Sequence, residues 1–229
     1  MIDLKLGDTL KIIKDIPNKS IDLIVTDPPY NINYCEFDKK IIEWEILSKE
    51  FKRILKDNGS IVVFQGWSNV DKTKQILSED FCLKDWIIYD RVKGRGGKRS
   101  LVSTREDILW FVNDKNNYTF NKIPSTIIKK TGGLGLKNGC KYRALSNVWT
   151  DISPIVPWSK ERVKHPTQKP IQLMERCIKL WSNENDVIFD PFMGSGSTGV
   201  SAVRNNRHFI GIELEENYFN IAKDRIEVA

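Results

Sequence analysis

The stretch Ile21-Asp22-Leu23-Ile24-Val25-Thr26-Asp27-Pro28-Pro29-Tyr30 decides how this chain is read. Its first six residues form a short, almost wholly apolar run, the pattern of a buried strand in an α/β sheet. The next four stand at that strand's carboxyl end, where open α/β sheets place their ligand crevice. Asp27 offers a carboxylate and Pro28 a backbone carbonyl, two acceptors suited to the N–H groups of an amine whose lone pair is delocalised into a planar ring. Successive prolines fix φ and bias the preceding residue to extended geometry, so both acceptors are positioned in advance. Tyr30 adds an aromatic face for a base taken out of its stack. The same residues also make an ordinary strand-ending turn, opened by Asp and stiffened by proline. The tetrapeptide alone does not choose between these readings.

Working outward, residues 1–90 alternate strand-like and helix-like segments. Leu4–Leu6 reads as a strand, Thr9–Ile16 as a helix, Lys39–Leu55 as a longer helix, and Ser60–Phe64 as a strand after the turn Asp57-Asn58-Gly59. A helix over Val70–Leu77 and a strand over Trp86–Tyr89 follow. Beyond residue 163 the alternation resumes, with helix Pro170–Trp181, strand Val187–Phe189, helix Ser195–Asn205, strand His208–Ile212 and helix Glu216–Glu227. This order predicts an α/β fold, a mostly parallel twisted sheet with helices on both faces. With 229 residues the chain has length for one substantial domain carrying a large insertion.

The insertion is residues 91–163, with one strand candidate, Asp107–Val112, among Gly-, Asn- and Lys-rich sequence. Lys93-Gly94-Arg95-Gly96-Gly97-Lys98-Arg99 and Lys130-Thr131-Gly132-Gly133-Leu134-Gly135 read as basic loops that order on a partner. Between Arg91 and Thr150 there are thirteen Lys and Arg against three acidic residues, about +10, so the rest of this +6 chain is near −4. Such asymmetry marks either a polyanion-binding face or a solvated basic surface. No apolar run is long enough for a membrane span, and the start Met1-Ile2-Asp3 is unlike a signal peptide, which predicts a cytoplasmic protein. Cys35, Cys82, Cys140 and Cys177 show no paired spacing, so neither a zinc site nor a disulfide framework is expected.

Asp190-Pro191-Phe192-Met193-Gly194-Ser195-Gly196-Ser197-Thr198-Gly199 follows a strand and opens a helix. Gly194, Gly196 and Gly199 satisfy G-x-G-x-x-G and Glu213 ends the next strand, so a nicotinamide dinucleotide enzyme is a competitor. Asp190 separates the readings. A pyrophosphate gains nothing from a carboxylate beside the loop, whereas a cofactor with an α-ammonium group gains a charge-assisted partner. Lys164-His165-Pro166-Thr167-Gln168-Lys169-Pro170 leads into a helix, where Thr167 or Gln168 serves as a cap or lines a site. Neither His165 nor His208 has a Ser or Cys partner for a triad. Asp8 caps the helix from Thr9 or reaches a ligand amino group.

In this order, Asp27–Tyr30, Lys164–Pro170 and Asp190–Thr198 resemble the methylation motif, the helix lead-in and the cofactor loop of the β-class amino-group DNA methyltransferases of restriction-modification systems. The resemblance covers nearly the whole chain outside 91–163. It implies a Rossmann-like, circularly permuted, S-adenosylmethionine-dependent methyltransferase fold, with residues 1–90 as catalytic half, 91–163 as target-recognition region and 164–229 as cofactor half. It implies catalytic roles for Asp27, Pro28, Pro29 and Tyr30. It implies cofactor contacts from Asp8, Asp27, His165, Thr167, Gln168, Lys169, Asp190, Phe192, Gly194, Ser195, Gly196, Thr198 and Glu213, with Thr167 and Lys169 near the cofactor's carboxylate, Glu213 at its ribose and Asp8 at its adenine. Candidate DNA contacts are Lys93, Arg95, Lys98, Arg99, Arg105, Lys137, Lys141 and Arg143. Asp at position 27, where cytosine-N4 members usually have Ser, favours adenine N6. Cytosine N4, an RNA or protein amide, and a silent DNA-binding module are the alternatives. The implied partner is double-stranded DNA, with a cognate restriction endonuclease and a second copy of the chain as further candidates and no metal.

Overall fold

The protein is described by a computed structural model covering residues 1–30, 42–95, 97–99, 101–125, 142 and 144–229, with Lys93 and Arg95 described in their backbone only. The strands are β1 (Ile2–Leu6), β2 (Ile21–Thr26), β3 (Leu55–Gln65), β4 (Cys82–Arg95), β5 (Ser103–Val112), β6 (Val148–Trp149), β7 (Val187–Asp190) and β8 (His208–Glu213). The helices are α1 (Thr9–Ile12, continued by a 3-10 turn), α2 (Trp44–Ile54), α3 (Val70–Leu77), α4 (Ile171–Trp181), α5 (Ser197–Arg204) and α6 (Glu216–Glu227). Among the described residues no helix is long and apolar enough to cross a membrane.

One eight-stranded sheet runs in the order β1-β8-β7-β2-β3-β5-β4-β6. Among the described strand pairs, β3–β5 and β4–β5 are antiparallel and the others parallel. Strand β2 is buried at every position because helices cover both of its faces. Leu23 and Val25 pack with residues of α4, α5 and α6, including Leu173, Val200 and Ala222. Ile24 packs on the other face with Phe51 of α2 and Leu77 of α3. Helix α2 earns that position through its spacing, with Trp44, Leu47, Phe51 and Ile54 forming one buried stripe.

Strands β2 and β7 lie side by side and parallel. From β2 the chain passes through α2 to β3 on one flank, and from β7 through α5 to β8 on the other. The strand order therefore reverses between them, which opens a crevice at their carboxyl ends. Asp27 follows the end of β2 and Asp190 is the last residue of β7.

Several expectations are corrected in detail. Asp57-Asn58-Gly59 does not separate a helix from a strand but lies inside β3, which starts at Leu55. There it forms a bulge, since Ile21 pairs with Leu55 and Leu23 with Ser60. Lys56 in the bulge holds both oxygens of Asp22 at 2.8 Å, and Asp22 also accepts from the Val187 amide at 2.9 Å. The segment after Tyr89 is not a loop at first, because β4 runs on to Arg95 and forms a hairpin with β5 in which Arg95 pairs with Ser103. Helix α5 starts at Ser197 and not at Ser195, because Gly194 (φ 51) and Gly196 (φ 77) hold left-handed geometry just before it. The start of the expected Lys39 helix and the Lys130–Gly135 stretch fall outside the described residues.

The two-residue strand β6, not anticipated, sits on the free edge of β4. It is fixed by a buried ion pair: Arg176 of α4 donates to both oxygens of Asp151, at 2.8 and 2.7 Å, and its guanidinium lies 5.1 Å from the Trp149 ring. Truncating one member takes the counter-charge from a buried ion. Arg176→Ala is expected to destabilise the fold by about 3 kcal/mol in urea titration, and removing Asp151 as well should cost less than the two single losses added together.

Candidate active site

A cavity of about 860 Å³ opens over the carboxyl ends of β2 and β7. Asp27, Pro28, Pro29 and Tyr30 form one wall, and Asp190, Phe192, Gly194, Ser195 and Thr198 form another. Asp8, His165, Thr167, Gln168, Lys169 and Glu213 complete the sequence-derived set that the fold gathers there. Gly196 is not among the lining residues. A side chain on it would meet Ala222 of α6 at 2.9 Å, so its place is dictated by close helix packing.

The centre of the site is a charge cluster. The Lys169 ammonium lies 2.7 Å from Asp27 Oδ2 and 3.2 Å from Glu106 Oε1, while the Tyr30 hydroxyl donates to Asp27 Oδ1 at 2.6 Å. Lys169, expected beside a cofactor carboxylate, thus gives its charge to two carboxylates of the chain, the natural outcome for a buried ammonium with both in reach. Burial alone would lower the Lys169 pKa, but Asp27 and Glu106 outweigh it and hold the value above its ordinary level. Burial first, then the Asp27 and Glu106 charges, raise Tyr30 well above the usual phenol range, so it remains a hydroxyl donor. Asn69 donates to the Tyr30 carbonyl, and Gly66 leaves room for the Tyr30 ring, since a Cβ there would lie 3.2 Å from it.

On the facing wall, Asp190 is 2% exposed and accepts from Thr198 Oγ1 at 2.6 Å and the Phe192 amide at 3.1 Å. Burial outweighs these bonds and pushes its carboxyl up to about 7. Glu213 is aimed by three backbone amides, those of Gly194, Leu214 and Glu215, at 2.9, 2.9 and 2.8 Å. Burial still raises its pKa despite them. His165 packs edge-on to Tyr218 at 4.5 Å and directly above Gly194, where a Cβ would come within 3.0 Å of Nε2. Burial, reinforced by Lys169 and Arg225, pushes His165 down to about 4, so it is neutral at pH 7.

Two lining residues hold their own segments in place. Asp8 accepts from the Leu10 amide at 2.8 Å as the cap of α1. Gln168 bridges the Val163 amide at 2.9 Å and the Glu161 carbonyl at 2.7 Å, which folds the lead-in to α4 against the cavity. Of the basic candidates, Arg105 lines the cavity, and Lys98 and Arg99 are exposed between β4 and β5. Lys137, Lys141 and Arg143 lie outside the described residues, as do the side chains of Lys93 and Arg95. Sequence reasoning missed Glu106 and Tyr89, which face each other across β5 and β4 and both line the cavity. The one available signal was a carboxylate interrupting the most basic stretch of the chain.

The sequence profile of the DNA methylase family matches residues 21–224. The chain is 35% identical to the DNA adenine methyltransferase YhdJ of Escherichia coli (strain K12), over 97% of this chain and 82% of that protein. It is 32% identical to the type II methyltransferase M.HpaI of Haemophilus parainfluenzae, over 96% and 73%. The crystal structure of the M1.HpyAVI–SAM complex superposes with a TM-score of 0.73 at 34% identity, covering 98% of this chain and all of that one.

Asp190 gives the site a pH signature in the free protein. Its folded pKa lies above the ordinary carboxylate value, so between about 4 and about 7 the native state binds more protons than the unfolded one, and this group makes stability fall as pH rises through that window. Asp190→Asn should remove that dependence and stabilise the ligand-free protein at pH 8, by on the order of 1–4 kcal/mol. Denaturation at pH 5 and pH 8 checks both the sign and its loss in the variant.

Proposed function

The chain belongs to the N6/N4 DNA methylase family, and on that premise we propose that it is a DNA adenine-N6 methyltransferase using S-adenosylmethionine. The observation that carries the reading is the pair of carboxylates, Asp27 and Asp190, at the ends of adjacent strands and lining one cavity. Asp190 suits a ligand ammonium, because a buried carboxyl near pH 7 ionises readily when a cation arrives beside it. Glu213, pre-aimed by three amides, retains acceptor capacity for sugar hydroxyls. Phe192 and Tyr218 line the same cavity. The donor, when bound, supplies a methyl group on a positively charged sulfur.

The residues of the other wall act on the acceptor. Asp27 and the Pro28 carbonyl take the two N–H groups of the base amine, directing its nitrogen lone pair toward the methyl group. The Tyr30 hydroxyl fixes the Asp27 rotamer through its 2.6 Å bond. The base reaches them by leaving the helix stack, since its amine is not accessible for in-line attack inside a duplex. Adenine is preferred to cytosine on the strength of Asp at position 27 and of the similarity to a relative named as an adenine methyltransferase. The β4–β5 hairpin, with Arg105 at the cavity and Lys98 and Arg99 beyond it, is the candidate DNA arm within the 91–163 recognition region. The proposal extends to a cytoplasmic setting, a cognate restriction endonuclease and a second copy of the chain on the DNA, the last because the recognition region is short for reading several base pairs.

Incubation with labelled S-adenosylmethionine and unmethylated DNA, followed by nucleoside analysis, should yield N6-methyladenine. N4-methylcytosine as the main product would overturn the substrate. Asp27→Ala should lower methyl transfer by about 10² to 10³ with DNA binding retained, since it removes one preorganised acceptor. Neutralising Lys98 and Arg99 together should reduce the slope of log K against log salt by about two, and an unaltered slope would move recognition away from the hairpin.

A further inference from the structure

The Lys169 ammonium is shared by two carboxylates, and only one of them belongs to the motif that holds the acceptor amine. Glu106, on β5, is 5% exposed, contacts Lys169 at 3.2 Å through Oε1, and lines the cavity. Its second oxygen, Oε2, is buried and has no hydrogen-bond partner among the described residues. A buried ion pair that served packing alone would be expected to satisfy both oxygens. We propose that Glu106 is a positioning residue for methyl transfer: by sharing the Lys169 ammonium it keeps Asp27 a strong hydrogen-bond acceptor directed at the acceptor amine. The proposal rests on the methyltransferase reading above.

The argument is one of charge. Lys169 and Asp27 alone would neutralise each other, making Asp27 a weak acceptor where a strong one is needed. With Glu106 the Lys169 ammonium is drawn toward two carboxylates instead of one, and Arg91, its NH1 3.9 Å from Glu106, balances the cluster. As the amine nitrogen bonds to the methyl carbon, the carbon–sulfur bond breaks with both electrons left on sulfur, and the nitrogen becomes cationic. Its surplus proton passes to the Asp27 carboxylate and from there to solvent. Glu106 keeps Asp27 able to take it.

The surroundings do not duplicate this service. Facing Asp27 are Lys169, the Tyr30 hydroxyl and, from β7, Asp190, whose burial raises its own carboxyl. Facing Glu106 are Lys169, Arg91 from β4 with its NH1 at 3.9 Å, and the Tyr89 phenol, which burial keeps protonated. No other carboxylate among the described residues contacts Lys169 within ion-pair distance.

The test is single-turnover methyl transfer to an adenine-containing duplex between pH 5 and 9, for the wild type, Glu106→Gln and Lys169→Gln. Glu106→Gln keeps the shape of the side chain. It should slow transfer by about 10- to 100-fold near neutrality and move the acid limb to lower pH by about one unit. Binding of S-adenosylmethionine and DNA, measured by calorimetry, should stay within about twofold of the wild type. Lys169→Gln removes the ammonium from Asp27 and leaves Glu106 with Arg91, and should move the acid limb the opposite way. Opposed shifts are not the outcome of a merely structural pair. If Glu106→Gln does not fold, Glu106→Asp keeps the charge and should retain the wild-type limb, and a Gln-like shift there would overturn the proposal. A wild type that makes no methyladenine would sink the methyltransferase reading itself. An active wild type whose Glu106→Gln variant keeps both rate and acid limb would sink this proposal alone.

Discussion

The Lys169 ammonium, with its side chain 9% exposed, joins Asp27 at the end of β2, Glu106 on β5 and the segment leading into α4. Removing an ammonium from water costs several kcal/mol, recovered only when its counter-charges arrive in good geometry. The cluster therefore forms only when β2, β5 and the lead-in are all in register. The lead-in is itself held by α5, whose Ser197 hydroxyl donates to the Lys169 carbonyl at 2.8 Å. The wall built by Asp27–Tyr30 and the wall built by Asp190–Thr198 are thus mechanically continuous, meeting at one residue.

The sheet was legible where the sequence carries its own punctuation. Ile21–Thr26, Val70–Leu77 and Glu216–Glu227 come out as read, because an apolar run or a helical stripe bounded by polar residues leaves little choice of period. What stayed hidden depends on partners. Nothing local in Val148-Trp149 announces a strand; it is one because β4 offers a free edge and Arg176 anchors Asp151 behind it. Asp57-Asn58-Gly59 does have turn chemistry, spent on a bulge because Lys56 reaches Asp22 across it.

For the site, motif residues were visible because Pro, Gly and paired acids impose their own geometry, and the fold brings every expected catalytic and cofactor residue but Gly196 to one cavity. Glu106 was invisible as a site residue because its significance is purely spatial. In sequence it is an acid beside Asp107 in a basic tract; in space it is two strands from β2, facing the only ammonium that Asp27 contacts among the described residues. Likewise Asp8 and Gln168 were open between capping and ligand contact, and the structure shows the local hydrogen bonds that each makes.

Among the described residues strand β1 has one neighbour, β8, and residues 2–6 pair with residues 209–213. On a ribosome β1 is made long before β8, the strand it bonds to, and β2 likewise precedes β7, its partner on one flank. A chain stopped before residue 169 would carry Asp27–Tyr30 without Lys169 or the Asp190–Thr198 loop that shares its cavity. The early strands of the sheet therefore gain their neighbours only when the βαβ unit of β7, α5 and β8 has been made, and the connectivity couples the folding of the two ends of the described sheet.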